Sequence, residues 1–156
     1  MSELHAVLRD PILVDSGIAR LQHFEQGDTI IIEGSEDRVI YLVETGSVRV
    51  SERVELEDRR HIQPGLCDLG PGEVFGELSL FDPEPRSASV VAVGPCELRV
   101  FDAEALASYF DRHPQEGYVV LKQLFSVLCS RLRQADRRLG SLFAWGLKAH
   151  GIDQHL

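Results

Sequence analysis

Phe75-Gly76-Glu77-Leu78-Ser79-Leu80-Phe81-Asp82-Pro83-Glu84-Pro85-Arg86-Ser87-Ala88-Ser89-Val90 is the most informative stretch of this 156-residue sequence. Gly76 to Phe81 has the length and composition of one or two helical turns opening at a glycine. The first N–H groups of such a turn lack partners within it, and a helix start favours negative charge. Arg86 follows ten positions after Gly76 and is the only Lys or Arg between Arg60 and Arg99. A lone guanidinium at the head of an apolar strand calls for a counter-ion, because buried charges are paired. Ser87 adds a hydroxyl, and Glu77 supplies an acceptor for sugar hydroxyls. Residue types alone leave two readings open: a pocket for a phosphate and a ribose, or an ordinary surface salt bridge from Arg86 to Glu77 or Asp82.

Working outward, the chain from Phe24 to Phe101 is a series of short β-type runs. Thr29-Ile32, Val39-Val43, Ser47-Val50, Ser87-Ala92 and Glu97-Phe101 are the candidate strands. Gly27-Asp28, Glu33-Gly34, Thr45-Gly46, Pro64-Gly65, Gly70-Pro71-Gly72 and Gly94-Pro95 separate them, with glycine supplying positive φ and proline presetting φ. Many short strands at this spacing predict a β sandwich or jelly-roll barrel. The polar stretch Glu52 to His61 reads as an exposed hairpin end. Upstream, residues 1–22 read as a short amphipathic lead-in through Leu4, Val7, Leu8, Ile12, Leu13, Ile18 and Leu21, interrupted at Pro11.

Beyond Phe101 the period becomes helical. Asp102 is placed to cap a helix over residues 103–110, and His113-Pro114 ends it. A long helix is predicted from about Gln115 to Leu139, with Leu121, Phe125, Leu128, Leu132, Ala135, Leu139 and Leu142 at heptad spacing. That regularity suits a helix that packs on its own barrel and also pairs with a copy of itself. Gly140-Ser141 is expected to interrupt it before the apolar piece Leu142-Phe143-Ala144-Trp145, and burial against the helix pair is the expected place for Trp145, with a stacking lid over a bound ligand as the alternative. The organisation read from this is residues 1–114 as lead-in and barrel, and residues 115–156 as a lid and dimerisation helix with its tail.

The charge divides along the same line. Residues 1–121 carry 23 acidic and 10 basic side chains, a net of −13, whereas residues 122–156 carry 2 and 6, a net of +4. The overall −9 argues against nucleic acid as partner, since phosphate contacts need clustered Lys and Arg. Cys67, Cys96 and Cys129 form no CxxC pair and the six histidines no HxH pair, so no metal site is expected. The N-terminus has no basic start and apolar core of a signal peptide, and no run approaches the ~20 apolar residues of a membrane span, so a cytoplasmic protein is expected. No Ser/His/acid or paired-carboxylate arrangement stands out, and no enzyme activity is expected.

The segment FGELSLFDPEPRSASV closely resembles the phosphate-binding cassette of cyclic nucleotide-binding domains, as in the catabolite activator protein and the regulatory subunits of cAMP-dependent protein kinase. Phe24 to Gly34, Tyr41 to Val48 and Leu69 to Phe75 are similar to that family's first strands and its entry to the cassette, so the resemblance covers roughly residues 15–139. It implies a mainly β fold: a β jelly-roll (double-stranded β-helix) barrel of eight strands with short N-terminal helices and a long C-terminal helix. It implies that Glu77 binds the ribose 2′-hydroxyl and Arg86 the cyclic phosphate. Gly76, Leu78, Ser79, Ser87 and Ala88 would line the pocket with backbone or hydroxyl donors. Aligned on the same helix, Asp136 falls near the purine, where it accepts from the adenine amino group or from guanine N1–H and the 2-amino group. A surface pairing of Asp136 with Arg133 or Arg137 is the competing reading. Family frequency favours cAMP over cGMP as ligand. The expected protein is a regulatory module, a homodimer through its C-terminal helix, that signals to an unidentified protein partner by repositioning that helix. A fold-sharing interaction module driven by a partner or by another small effector is the alternative. The chain ends 17 residues after Leu139, so no DNA-binding helix-turn-helix is expected to follow.

Overall fold

Cys96, Leu98 and Val100 alternate along one strand, and each is at most 1% exposed. Side chains two apart share a face of a strand, so this run defines one wall of the core. The computed structural model describes residues 3–51, 54–55, 61–62 and 65–149, and its strands are β1 (Ala19–Phe24), β2 (Thr29–Ile31), β3 (Val39–Thr45), β4 (Val48–Ser51), β5 (Val54–Glu55), β6 (His61–Ile62), β7 (Gly65–Leu69), β8 (Val74–Phe75), β9 (Ser89–Ala92) and β10 (Cys96–Asp102). The helices are α1 (Glu3–Leu8), α2 (Pro11–Asp15), α3 (Ala103–Arg112) and α4 (Pro114–Ala149), with a 3-10 turn at Glu77–Leu80.

Eight strands make two four-stranded sheets in the orders β1-β10-β3-β8 and β2-β9-β4-β7, and β5 pairs with β6. Every pairing is antiparallel. This is the jelly roll that the glycine-punctuated runs predict. Ile31, Tyr41, Val43, Val48, Phe75, Val90 and Ala92 close the core against the Cys96–Val100 face. Opposite each other in register, Tyr41 of β3 and Phe75 of β8 stack with centroids 4.8 Å apart. Phe75 is the last residue before Gly76, so the core itself fixes where the 75–90 segment leaves the barrel.

The lead-in differs from its expected form. Pro11 starts α2 instead of merely interrupting a helix: Asp10 caps it, accepting from Ile12 N–H at 2.9 Å. Residues 19–24 are an edge strand paired with β10. Short strands β7 and β8 also had no counterpart among the predicted runs. Leu8 and Leu13 are fully buried. Glu44 of β3 accepts from Arg99 at 2.9 Å and also pairs with Arg9, tying the end of α1 to the first sheet. Burial alone would raise the Glu44 carboxyl, but hydrogen bonds from Arg9 and Arg99 outweigh it and hold the group below its ordinary value. The nearby imidazole of His5 is buried, and that burial, with the Arg9 charge, lowers its pKa.

Asp102 caps α3 as read, accepting from Ala105 N–H at 2.8 Å. α4 corrects the expected break at Gly140-Ser141, because it continues without interruption to Ala149. A helical glycine costs only about 1 kcal/mol relative to alanine, and Gly140 is not among the glycines with positive φ. The hairpin expected over Glu52 to His61 is represented by the β5–β6 pair; residues 52–53 and 56–60 lie outside the described residues. The chain divides into two compact units, residues 1–120 and 121–156. In the second, Leu121, Phe125, Leu128, Leu132, Leu139 and Leu142 are all exposed.

Gly46, between β3 and β4, has φ 82°, and a Cβ there would stand 2.4 Å from the Pro95 carbonyl oxygen and 2.6 Å from Cys96 Cβ. Both obstacles belong to the chain entering β10, so neither can swing aside. Gly46→Ala is expected to lower stability by about 3 kcal/mol, combining left-handed strain with overpacking. Urea denaturation of the variant beside the parent measures it.

Candidate functional site

The 75–90 segment leaves β8 through Gly76, whose φ of 76° puts it in the left-handed region, and enters the 3-10 turn Glu77–Leu80. The turn expected from sequence is therefore present, as a 3-10 rather than an α helix. A Cβ on Gly76 would lie 2.8 Å from the Val39 carbonyl oxygen and 2.9 Å from Arg86 Nη1, so glycine is required by both backbone and space. Asp82 N–H donates to Leu78 O at 2.8 Å, and Asp82 Oδ1 accepts from Glu84 N–H at 3.1 Å, which turns the chain through Pro83 and Pro85 towards Arg86.

Of the residues singled out from sequence, Glu77, Ser79 and Arg86 are buried, while Leu78 and Ser87 are exposed. Gly76 and Ala88 complete this group on one continuous segment between β8 and β9. Asp136 is exposed on α4, in the second unit, and among the described residues no ion pair joins it to Arg133 or Arg137.

The counter-ion of Arg86 comes from a place that sequence reading missed. Asp37, in the β2–β3 loop 49 residues earlier, accepts from Arg86 Nε at 3.0 Å and from Nη2 through the same Oδ1. Arg86 Nη1 donates to Gly76 O at 3.2 Å, and Nη2 also donates to Val39 O. The loop and the segment are further stitched along their backbones: Gly34 N–H donates to Arg86 O and Arg86 N–H to Ser35 O, both at 2.8 Å. Arg38 Nη2 donates to Ser79 O at 3.1 Å. Glu33 N–H donates to Ser89 Oγ at 2.9 Å. The signal in the sequence was Glu33-Gly34-Ser35-Glu36-Asp37-Arg38, an acidic loop beside a lone downstream cation. It offers three carboxylates and no way to choose among them.

Asp37 is held from both sides, because Ser35 Oγ donates to its other oxygen at 2.9 Å. Burial would raise its pKa, but hydrogen bonds from Arg86 and Ser35, the Arg86 charge and the Val39 N–H outweigh burial and lower it. Among the described residues no group of three or more His, Cys, Asp or Glu is placed to hold a metal ion.

A family model for the cyclic nucleotide-binding domain matches residues 21–113. The chain belongs to the cyclic nucleotide-binding domain family. It is 37% identical over 134 residues to the "Cyclic AMP receptor protein" of Thermus thermophilus, covering 85% of this chain and 58% of that one. It is 32% identical over 119 residues to the "CRP-like cAMP-activated global transcriptional regulator" of Mycobacterium tuberculosis, covering 76% and 50%. Against the crystal structure of the Thermus thermophilus Catabolite Activator Protein the TM-score is 0.70 at 34% identity, over 87% of this chain and 62% of that chain. The chain thus spans about half the length of the curated relatives it matches. Within this cyclic nucleotide-binding domain the matched span contains Asp37, the whole 75–90 segment and α3, and stops short of Asp136.

The sign of the Asp37 effect follows from its lowered pKa. The ion pair contributes stability above the unfolded value of 3.8 and loses it as the pH falls through the folded-state value. The stability difference between the parent and Asp37→Asn, measured by urea denaturation, is expected to be largest at neutral pH. It should shrink once the pH is taken below 3.8. Acidification also weakens the Glu44 pairs, but equally in both proteins, so that contribution cancels.

Proposed function

We propose that this chain is a regulatory module that binds a cyclic nucleotide, cAMP in preference to cGMP, and reports occupancy through α4. The observation that carries the reading is the buried guanidinium of Arg86, bonded to the left-handed Gly76, which is followed in the chain by the buried Glu77. Arg86 pairs with the cyclic phosphate. Glu77 accepts from the ribose 2′-hydroxyl. Backbone N–H groups of Gly76, Glu77 and Leu78, the Ser79 and Ser87 hydroxyls and the backbone at Ala88 complete the phosphate and ribose contacts, and Asp136 accepts from the base. Support for cAMP comes from the relatives, one named a cyclic AMP receptor and another cAMP-activated. The role is binding and signalling rather than catalysis, in the cytoplasm. No described helix is long and apolar enough to cross a membrane.

A ligand moves an equilibrium only by its differential affinity for two states. A nucleotide that touches both the 75–90 segment and α4 therefore favours one placement of that helix over others. The exposed heptad seam from Leu121 to Leu142 suits pairing with a second copy, and the exposed Phe143 and Trp145 suit an interaction with a downstream protein.

Arg86→Ala is expected to weaken cAMP binding by about 2–5 kcal/mol, the usual loss when one partner of a buried charge pair is removed. Isothermal calorimetry reads this directly, and an unchanged affinity overturns the assignment of the phosphate site. The seam is tested apart from the ligand. Light scattering should give twice 17.4 kDa for the parent and 17.4 kDa for Leu128→Asp, since a charge at a heptad core position is left unpaired on pairing. A parent that stays at 17.4 kDa removes the homodimer.

A further inference from the structure

Arg86 has five N–H donors, and the chain already engages four of them: Nε and one Nη2 N–H on Asp37, the other Nη2 N–H on Val39 O, and one Nη1 N–H on Gly76 O. One Nη1 N–H is left for a ligand by these bonds. The charge is committed in the same way. The Asp37 carboxylate is anchored by Arg86 through Oδ1 and by Ser35 through Oδ2, so it does not swing away when a second anion arrives. Arg38 and Arg86 supply two positive charges at the 75–90 segment, and Asp37 and Glu77 two carboxyl groups. Glu33, Glu36, Asp82 and Glu84 stand in the same two loops. Carboxyl groups thus outnumber cations in these two loops by six to two, and a ligand's first negative charge is received by the Arg86 N–H that remains and by the turn N–H groups. A second negative charge finds no further cation in these two loops, and it meets the fixed Asp37 carboxylate in partly buried, weakly screened surroundings.

We propose that Asp37 is a specificity-determining residue: fixed against Arg86, it restricts the phosphate site to singly charged phosphodiesters and rejects doubly charged phosphate monoesters. The inference rests on the cyclic nucleotide reading above and deepens it. A cyclic nucleotide carries one negative charge, whereas the ring-opened 5′-monophosphate carries nearly two at pH 7.5, its second ionisation lying near pH 6. Discrimination between the signal and its hydrolysis product then comes from charge as well as from ring shape.

The test separates charge from shape by using adenosine 5′-phosphoramidate, which has the outline of AMP and a single negative charge. Competition against a fluorescent cyclic nucleotide at pH 7.5 compares cAMP, the phosphoramidate and AMP on the parent and on Asp37→Asn. For the parent the phosphoramidate is expected to displace the probe at least about tenfold better than AMP, a difference of about 1.4 kcal/mol. In Asp37→Asn that gap should narrow to within about threefold, chiefly through tighter AMP binding. A gap of the same size in the variant overturns the proposal. If Asp37→Asn does not fold, the parent alone decides: a phosphoramidate that displaces no better than AMP overturns it. Failure of cAMP and cGMP to bind the parent at all would overturn the cyclic nucleotide reading and this inference together, whereas cyclic nucleotide binding without the charge discrimination overturns only the inference.

Discussion

The site depends on keeping one guanidinium out of water. Burying an isolated charge costs several kcal/mol even after relaxation, so Arg86 persists at 8% exposure only because the surrounding chain is arranged to receive it. Asp37 brings the opposite charge, and the carbonyls of Gly76 and Val39 take further N–H groups. Each of those acceptors imposes a requirement elsewhere. Val39 opens β3, whose pairing with β8 sets the stack of Tyr41 on Phe75 and hence the exit point of the segment. Gly76 must lack a side chain because Arg86 Nη1 already stands where a Cβ would go. The β2–β3 loop must follow the segment along its backbone, as its reciprocal bonds at Gly34 and Ser35 show.

Much of this was legible in the residues, and the part that was not has a physical reason. The strands with alternating buried positions, the Asp102 cap and the long C-terminal helix rest on local patterns that a single segment carries by itself. β1 was hidden because Arg20, Leu21, Gln22 and His23 are all exposed on an edge strand, so no alternation marks it. β8 is two residues long and has no period to read. The continuation of α4 through Gly140 was missed because a glycine signals a break only where positive φ or a competing turn is needed, and neither is present. The group from Gly76 to Ala88, whose ligand role is proposed, was singled out because it is contiguous. Asp37 was not, because a partner 49 residues away is a property of the packed barrel.

The charge pattern gains a local meaning from the same geometry. An acidic body with a net of −13 would repel an anion at long range, yet exposed charges farther apart than about 10 Å are largely screened at ordinary ionic strength. Around Arg86 the charge is set first by its own two loops, where Arg38 and Arg86 stand among Glu33, Glu36, Asp37, Glu77, Asp82 and Glu84. Global composition therefore argues about solubility and encounter, while the few groups inside the segment and its neighbouring loop decide recognition.

Because Arg86 is satisfied before any ligand arrives, a nucleotide does not rescue an unpaired charge when it binds. Bound as proposed, it would gain the one Nη1 N–H that is left, the turn amides and the ribose contact, on a segment already braced by the β2–β3 loop. A braced segment has little conformational response of its own to give. Coupling to a partner must then be carried by an element whose alternative states are close in energy. The proposed function places that element in the second unit. Its helix leaves Phe125, Leu132, Leu139, Phe143 and Trp145 exposed, and uncovered apolar surface contributes about 25 cal/mol for each Å² that is later buried. Covering a few of those side chains in one state and not in another amounts to several kcal/mol, the scale on which a ligand is able to move a population. On the proposed reading, selection of the ligand belongs to the braced segment and the response to the exposed apolar surface of α4.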